Sequence, residues 1–105
     1  MTDCVVVLVT APDADTAARI ARTLVEEKLA ACGNVLPGVR SIYRWQGNVE
    51  EAQETLLVLK TARARFKEIV DRVRALHPYE VPEVVAVPIE AGFDGYLDWV
   101  VGSLY

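Results

Sequence analysis

The stretch Cys4-Val5-Val6-Val7-Leu8-Val9 decides the fold class, because every one of its residues is apolar and most are β-branched. β-Branched residues favour strands, and a short unbroken apolar run is typical of a strand that is covered on both faces. The following residues, Thr10 to Asp13, carry the signals of a helix start, with Pro12 or Asp13 supplying the first turn. The segment therefore predicts a buried strand that leads into a helix.

The rest of the chain continues this alternation of strands and helices. Pro37-Gly38 predicts a bend or bulge within the second strand, and Gln46-Gly47-Asn48 is a hairpin signal. Gly33 is read as the stop of the first helix, and the His77-Pro78 pair as the end of the second. We predict strands over 4–9, 34–45, 49–61 and 81–89, and helices from the 10–13 segment to about 29, over 62–76 and over 94–104.

This order, β-α-β-β-α-β followed by a terminal helix, is the split βαβ or ferredoxin-like pattern of α+β proteins. The 105 residues contain no linker or repeat, so we expect one domain over residues 1–105. Two right-handed crossovers place both main helices on one face of the sheet. The strands are apolar on both faces, however, so a second copy of the chain is the simplest cover for the other face.

The long hairpin gives a second reason to expect an oligomer. A strand of roughly 13 residues spans about 43 Å, whereas a domain of this length is only about 26 Å across. The tip around Tyr43 and Trp45, which share one face of the strand with Ser41, should therefore project beyond the core. A projecting two-stranded ribbon is barely stable alone, so we expect it to pair with the sheet of a neighbouring subunit.

The composition argues against several classes of function. The net charge is −4 and the hydrophobic fraction 52%, so neither nucleic acid nor an anionic membrane is an expected partner. No apolar run approaches the roughly 20 residues of a membrane span. No signal peptide is visible, so we expect a cytoplasmic protein in which Cys4 and Cys32 are reduced.

The segment around the single histidine carries the most chemistry. His77 is followed by Pro78, Tyr79, Glu80 and Glu83, so a stiff turn presents an imidazole, a phenol and carboxylates. His77 is read either as a metal or ligand contact or as an ordinary helix-end residue. No HxH, HExxH or CxxC spacing supports a metal centre. Lys60 is read either as an edge lysine or as a partner of Glu83 or of an anion.

Several of these motifs together resemble the divalent-cation-tolerance (CutA) family, over nearly the whole chain. They are Glu27-Lys28-Leu29-Ala30-Ala31-Cys32, Pro37-Gly38, Ser41-Ile42-Tyr43-Arg44-Trp45-Gln46-Gly47, Leu59-Lys60-Thr61, Leu76-His77-Pro78-Tyr79-Glu80-Val81-Pro82-Glu83 and Tyr96-Leu97-Asp98-Trp99. The resemblance implies a homotrimer formed by strand pairing between subunits. It also implies tolerance to divalent metals, copper especially. Because no nucleophile–base pair is apparent in the sequence, we expect a non-enzymatic protein that binds copper or another divalent metal weakly.

The resemblance assigns roles only in part. His77 matches the family's histidine and becomes the metal candidate, whereas Val9 and Leu76 stand where some relatives are thought to carry two further copper ligands. Lys60, Tyr79 and Glu83 match the family's pattern and become candidates for a small-ligand site in the clefts between subunits. A likeness to the trimeric PII signalling proteins suggests the alternative of a module that senses a small anion or metabolite. An acylphosphatase-like activity is not expected, because residues 10–13 contain no arginine.

Overall fold

A computed structural model describes residues 2–105. Within these residues, four strands form an antiparallel sheet, accompanied by three α-helices and one short 3-10 turn. The elements are β1 (Cys4–Ala11), α1 (Ala14–Glu26), β2 (Cys32–Trp45), β3 (Asn48–Ala62), the 3-10 turn Arg63–Arg65, α2 (Phe66–Leu76), β4 (Val85–Pro88) and α3 (Asp94–Gly102). The spatial order of the strands is β2-β3-β1-β4, which confirms the predicted ferredoxin-like α+β arrangement.

The main core lies between the sheet and the helix pair α1 and α2. Val5, Val7 and Val9 of β1 point into it, where they meet the buried stripe of α1, which includes Ile20 and Leu24. The helix begins as predicted, because the Asp13 side chain accepts a 2.7 Å hydrogen bond from the backbone N–H of Thr16. Helix α1 thus covers one face of the sheet, as its apolar periodicity indicates.

Helix α1 ends earlier than predicted, and Gly33 does not stop it. The last helical residue is Glu26, and the chain turns at Lys28, which has a left-handed φ of 60°. Gly33 instead lies in β2, where an added Cβ would come within 2.9 Å of the Cβ of Ala21. A glycine at this position therefore permits close contact between α1 and the sheet.

The second face of the sheet is covered only at one end. Helix α3 packs over Cys4 through Leu97 and Val100. The remainder, which we call the open face, presents apolar side chains from three strands and one lysine. Its residues are Val6, Leu8, Leu56, Val58, Lys60, Val85 and Val87. Val85 and Val87 remain 46% and 47% exposed, so the single chain leaves apolar area uncovered, as the sequence predicts.

The β2–β3 hairpin gives the molecule its elongated shape. The chain measures 44 × 25 × 23 Å, so one dimension greatly exceeds the others. The predicted bulge is present, because the pairing register of β2 with β3 shifts between Leu36 and Val39. The hairpin closes through Gln46 and Gly47, whose φ angles of 51° and 83° match the two-residue turn that suits twisted strands.

The fourth strand is much shorter than the predicted 81–89. It pairs with β1 only from Val85 to Pro88. Two features explain the early end: Pro82 has no N–H to donate, and the carbonyl of Thr10, further along β1, accepts a hydrogen bond from His77. Residues 81–84 are therefore released from the sheet and pass beside the candidate site.

Candidate functional site: an acidic groove beside the hairpin

His77 directs the chain from the end of α2 around the end of β1. The side chain is buried, and its Nε2 lies 2.7 Å from the backbone carbonyl oxygen of Thr10. Its Nδ1 accepts a 3.0 Å hydrogen bond from the backbone N–H of Tyr79. Because Nδ1 accepts, Nε2 carries the hydrogen and donates it to Thr10, which defines the neutral tautomer. His77 thus clamps the turn that it begins.

Tyr79 leaves this turn and extends towards β3. Its hydroxyl donates a 2.8 Å hydrogen bond to Oε2 of Glu54, and its ring lies 4.6 Å from that of His77 between centroids. Burial is the main cause that raises the pKa of Tyr79 to about 12, and the hydrogen bond to Glu54 and its charge add to the effect. Tyr79 is therefore a neutral phenol that donates to a carboxylate.

A groove of about 690 Å³ opens between the hairpin and the segment 78–83. Its polar lining is acidic, since Glu54, Glu80 and Glu83 border it together with Tyr79. Tyr43 and Trp45 form an aromatic wall on the hairpin side. None of the residues that line this groove, within 2–105, is a lysine or an arginine. We refer to this cavity as the acidic groove, and its charge favours cations over anions.

The structure brings together only some of the residues that the sequence singles out. Tyr79 and Glu83 line the acidic groove, whereas His77 is not part of the lining and contacts Tyr79. Lys60 lies on the open face, six residues along β3 from Glu54, which is about 20 Å in a strand. Its amine contacts the side-chain oxygen of Asn34. Within one subunit Lys60 therefore does not meet Tyr79 or Glu83, and its place in a cleft between subunits stays a prediction.

A metal ion has few converging ligands within one chain. Among residues 2–105, no three His, Cys, Asp or Glu side chains come together as a metal site. Both ring nitrogens of His77 are engaged in hydrogen bonds, so coordination would require one of them to be released. Val9 lies in the main core and Leu76 packs against it, so neither position offers a ligand. The donors that do face the groove are carboxylate oxygens, which suit hard divalent cations better than copper.

Glu54 is the residue that sequence reasoning missed. It lies in the polar half of the predicted third strand, yet the structure leaves it only 9% exposed. The available signal was its alternation with Leu56 and Val58, which places its side chain on the same face of the sheet.

The two cysteines are both free. Cys4 is buried, and Sγ of Cys32 lies 3.6 Å from the Tyr96 hydroxyl.

Fold and groove together define a class of small ferredoxin-like proteins with an extended hairpin and an acidic cavity beside it. The family model described as CutA1 divalent ion tolerance protein matches residues 5–103, and the chain belongs to this family. The chain is 57% identical over 95 residues to the divalent-cation tolerance protein CutA of Thermus thermophilus, covering 90% of this chain and 92% of that one.

Two further relatives show how widely the resemblance extends. The Protein CutA homolog of Xenopus laevis is 51% identical over 92 residues, which is 88% of this chain but only 61% of the length of that relative. The crystal structure of CutA from Xylella fastidiosa superposes with a TM-score of 0.96 at 41% identity, covering 99% of this chain and all of that one. No helix within residues 2–105 is long and apolar enough to cross a membrane.

Proposed function

We propose that this chain acts as a homotrimer that binds a divalent cation weakly in clefts between subunits, with no catalytic role. The observation that carries the proposal is the lining of the acidic groove: three glutamates border one cavity, and none of its lining residues in 2–105 is basic. Carboxylate oxygens are ordinary ligands for divalent cations. Because they do not converge within one chain, weak binding is expected until a second copy adds ligands.

The edges of the sheet support the trimeric part of the proposal. Strand β2 is an edge strand of 14 residues, and β4, at the other edge, has only 4. A long edge strand offers unpaired backbone groups to another chain. Pairing through β2 would place a neighbour beside Tyr43 and Trp45, and so beside the acidic groove. The apolar open face gives the same subunits a surface to bury.

The experiment is a calorimetric titration of manganese(II) and of copper(II) into the wild-type oligomer and into E80Q/E83Q. We expect saturable binding of manganese in the wild type and clear weakening in the double variant. Glu90 is exposed and lies outside the groove, so Glu90→Gln is the matched control and should leave the isotherm unchanged. Equal isotherms for the wild type and the double variant would reject the acidic groove as the cation site.

Copper provides a separate test of His77. If His77 is a copper ligand, His77→Asn should weaken copper binding more than manganese binding, because imidazole is the softer ligand. If the copper isotherms of the wild type and His77→Asn coincide, His77 has no part in metal binding. The role of His77 would then be limited to the two hydrogen bonds by which it links Thr10 to Tyr79.

The alternative is a PII-like module that senses a small anion or metabolite. Lys60 is the observation that favours it, because this lysine is half-buried on an otherwise apolar face and forms no ion pair within residues 2–105. A thermal-shift screen with nucleotides and carboxylic acids should then raise the melting temperature of the wild type but not of Lys60→Met. The absence of any hit across the panel would count against this alternative.

A further inference from the structure

The two strands of the hairpin change their pairing register once, at Pro37-Gly38. Towards the core Leu36 lies opposite Leu56, and towards the tip Val39 lies opposite Glu54. Two residues of β2 therefore stand against one residue of β3, which is a β-bulge. Gly38 has a φ of 82°, in the left-handed region that glycine adopts without strain. The bulge thus depends on the residue type at this one position.

The bulge determines which side chains of β2 share a face with Glu54. Side chains alternate between the two faces along a strand, and residues directly opposite each other share a face. Val39 is opposite Glu54, so it lies on the face of this carboxylate. The next alternate residues of β2 lie on the same face and line the acidic groove: Ser41, Tyr43 and Trp45. The bulge therefore supplies the groove with an aromatic, uncharged wall.

The two arginines of the hairpin lie on its other face. Arg40 is opposite Gln53, and its Nε lies 3.0 Å from Oε2 of Glu51 in an ion pair. Arg44 donates a 3.4 Å hydrogen bond to the backbone carbonyl of Gly47. Within residues 2–105, the lining of the acidic groove includes neither arginine. The carboxylates of the groove are thus kept apart from these two positive charges.

A hairpin without the bulge would exchange the two faces. If the pairing of Leu36 with Leu56 continued without interruption, every later residue of β2 would move by one position against β3. Arg40 would then lie opposite Ala52, in the place that Ser41 occupies. Both arginines would face the carboxylates of the groove, and the aromatic pair would face away from them. The same sequence therefore has two possible groove linings, and the bulge selects one.

We propose that the bulge at Pro37-Gly38 makes the acidic groove selective for cations, because it holds the two aromatic residues of the hairpin in the groove wall and the two arginines out of it. An arginine in the groove would form charge-assisted hydrogen bonds with the glutamates and so take the place of a cation. This inference rests on the proposed binding of a divalent cation in the groove, but the register itself can be measured without any ligand. Gly38 is a positioning residue, not a ligand.

Disulfide trapping in the full-length chain measures the register directly. Residues opposite each other in an antiparallel pair have Cβ atoms about 4.5–5.5 Å apart, which is within a small shift of the separation in a disulfide. The pair S41C/A52C reports the register with the bulge, and R40C/A52C reports the register without it. After mild oxidation, peptide mapping by mass spectrometry gives each linked fraction and separates it from any linkage of Cys4 or Cys32. We expect only the first pair to link in the wild-type background.

Gly38→Val is the substitution that should change the register. A β-branched residue is strained at a φ of 82°, and no atom lies within 4 Å of an added Cβ, so the effect is one of backbone conformation and not of a clash. We expect the ratio of S41C/A52C linkage to R40C/A52C linkage to fall roughly tenfold. Gly38→Asn is the matched control and should keep the wild-type ratio, because asparagine tolerates left-handed conformations. An unchanged ratio in Gly38→Val would overturn the proposal.

Deletion of Gly38 separates the exchange of faces from the shape of the bulge. It leaves one residue of β2 against one of β3, so Val39 stays opposite Glu54 and the same side chains stay in the groove. Titration with manganese(II) should therefore show wild-type binding after the deletion, but binding weakened roughly tenfold in Gly38→Val, where like charges meet the cation. Weak binding after the deletion, with S41C/A52C still linked, would show that the bend matters and not the faces, and would overturn the proposal.

Replacement of the arginines tests whether their charge is the cause. In the Gly38→Val background, R40Q/R44Q should restore manganese binding while the S41C/A52C linkage stays low, and a failure to restore it would overturn the role given to the arginines. If the wild type itself binds no manganese, the divalent-cation proposal fails, and the disulfide ratio of Gly38→Val still decides whether the bulge controls the register. Circular dichroism establishes folding, and Gly38→Ala, with less strain, replaces Gly38→Val if that variant does not fold.

Discussion

The hydroxyl of Tyr79 donates a 2.8 Å hydrogen bond to Oε2 of Glu54, and this bond joins the turn after α2 to the middle of β3. The two residues are 25 positions apart in the chain. Both residues line the acidic groove, and the bond ties the segment 78–83 to the sheet. The contribution of this phenol and this carboxylate can be tested directly.

We expect Tyr79→Phe to lower the free energy of unfolding by about 1 kcal/mol at pH 7, because one hydrogen bond to a charged acceptor is lost from a partly exposed site. The pKa of Tyr79 is raised from 10 to about 12, so the phenol loses its proton less readily in the folded state. Its contribution is then fully present below pH 10 and is lost as the pH rises from 10 to 12.

The measurement is chemical unfolding of the wild type and Tyr79→Phe at pH 7, 10 and 12. The difference between the two proteins should shrink over the upper pH interval, because only the wild type loses a proton at this site. Tyr105 is 78% exposed, so Tyr105→Phe is a matched control that should show a smaller difference at pH 7. A difference for Tyr79→Phe that does not change with pH would contradict the role given to its hydroxyl.

The clamp formed by His77 should contribute more to stability than a typical surface residue does. His77 is buried with both ring nitrogens hydrogen-bonded, so His77→Ala leaves the carbonyl of Thr10 and the N–H of Tyr79 without their partners. We expect a loss of about 2–3 kcal/mol in the free energy of unfolding. Urea unfolding measures it, with the exposed Arg74→Ala as the control, and a loss below that of the control would argue against the clamp.

The sequence predicts the order of elements and the apolar second face correctly, because both depend on local periodicity. Ile20 and Leu24 repeat at helical spacing, and Tyr43 and Trp45 alternate at strand spacing, so each segment reveals its own geometry. The projecting hairpin follows from strand length alone. None of these features depends on which segments of the chain pack against one another in the folded protein.

The site was harder to predict because it depends on contacts between distant segments. The separation of Lys60 from Glu83 follows from the pairing of β3 with β1, in which Lys60 lies opposite Val6, whereas Thr10, which lines the groove with Glu83, lies opposite Leu56. The early end of β4 follows from a hydrogen bond between His77 and Thr10. Neither is visible in local spacing. The polar stretch around Glu54 does not single it out, because a glutamate in such a stretch usually faces water, whereas this one is buried and bonded to Tyr79.

The two-residue turn of the hairpin should be sensitive to substitution at Gly47. Its φ of 83° is a conformation that side chains with a Cβ rarely adopt. No atom lies within 4 Å of an added Cβ, so the cost of Gly47→Ala is one of backbone strain rather than of a clash. We expect it to lower the free energy of unfolding by about 1 kcal/mol.

Gln46 provides the opposite test at the same turn. Its φ of 51° is also left-handed, and asparagine tolerates this region better than glutamine does. We therefore expect Gln46→Asn to raise the free energy of unfolding by a few tenths of a kcal/mol. Thermal unfolding of both variants is the measurement, and a stabilising Gly47→Ala would contradict the assigned turn geometry.

The open face gives a prediction about assembly. Val87 is 47% exposed in the single chain, so Val87→Glu should leave the fold intact while placing a charge where a neighbouring subunit is proposed to pack. We expect the wild type to sediment at about three times the 11.6 kDa of one chain, and Val87→Glu to dissociate at micromolar concentration.

Val25 is 39% exposed on α1, across the sheet from the open face, so Val25→Glu should remain assembled. A wild type that sediments as a single chain, or a Val87→Glu variant that stays fully assembled, would refute the proposal that this face is buried between subunits.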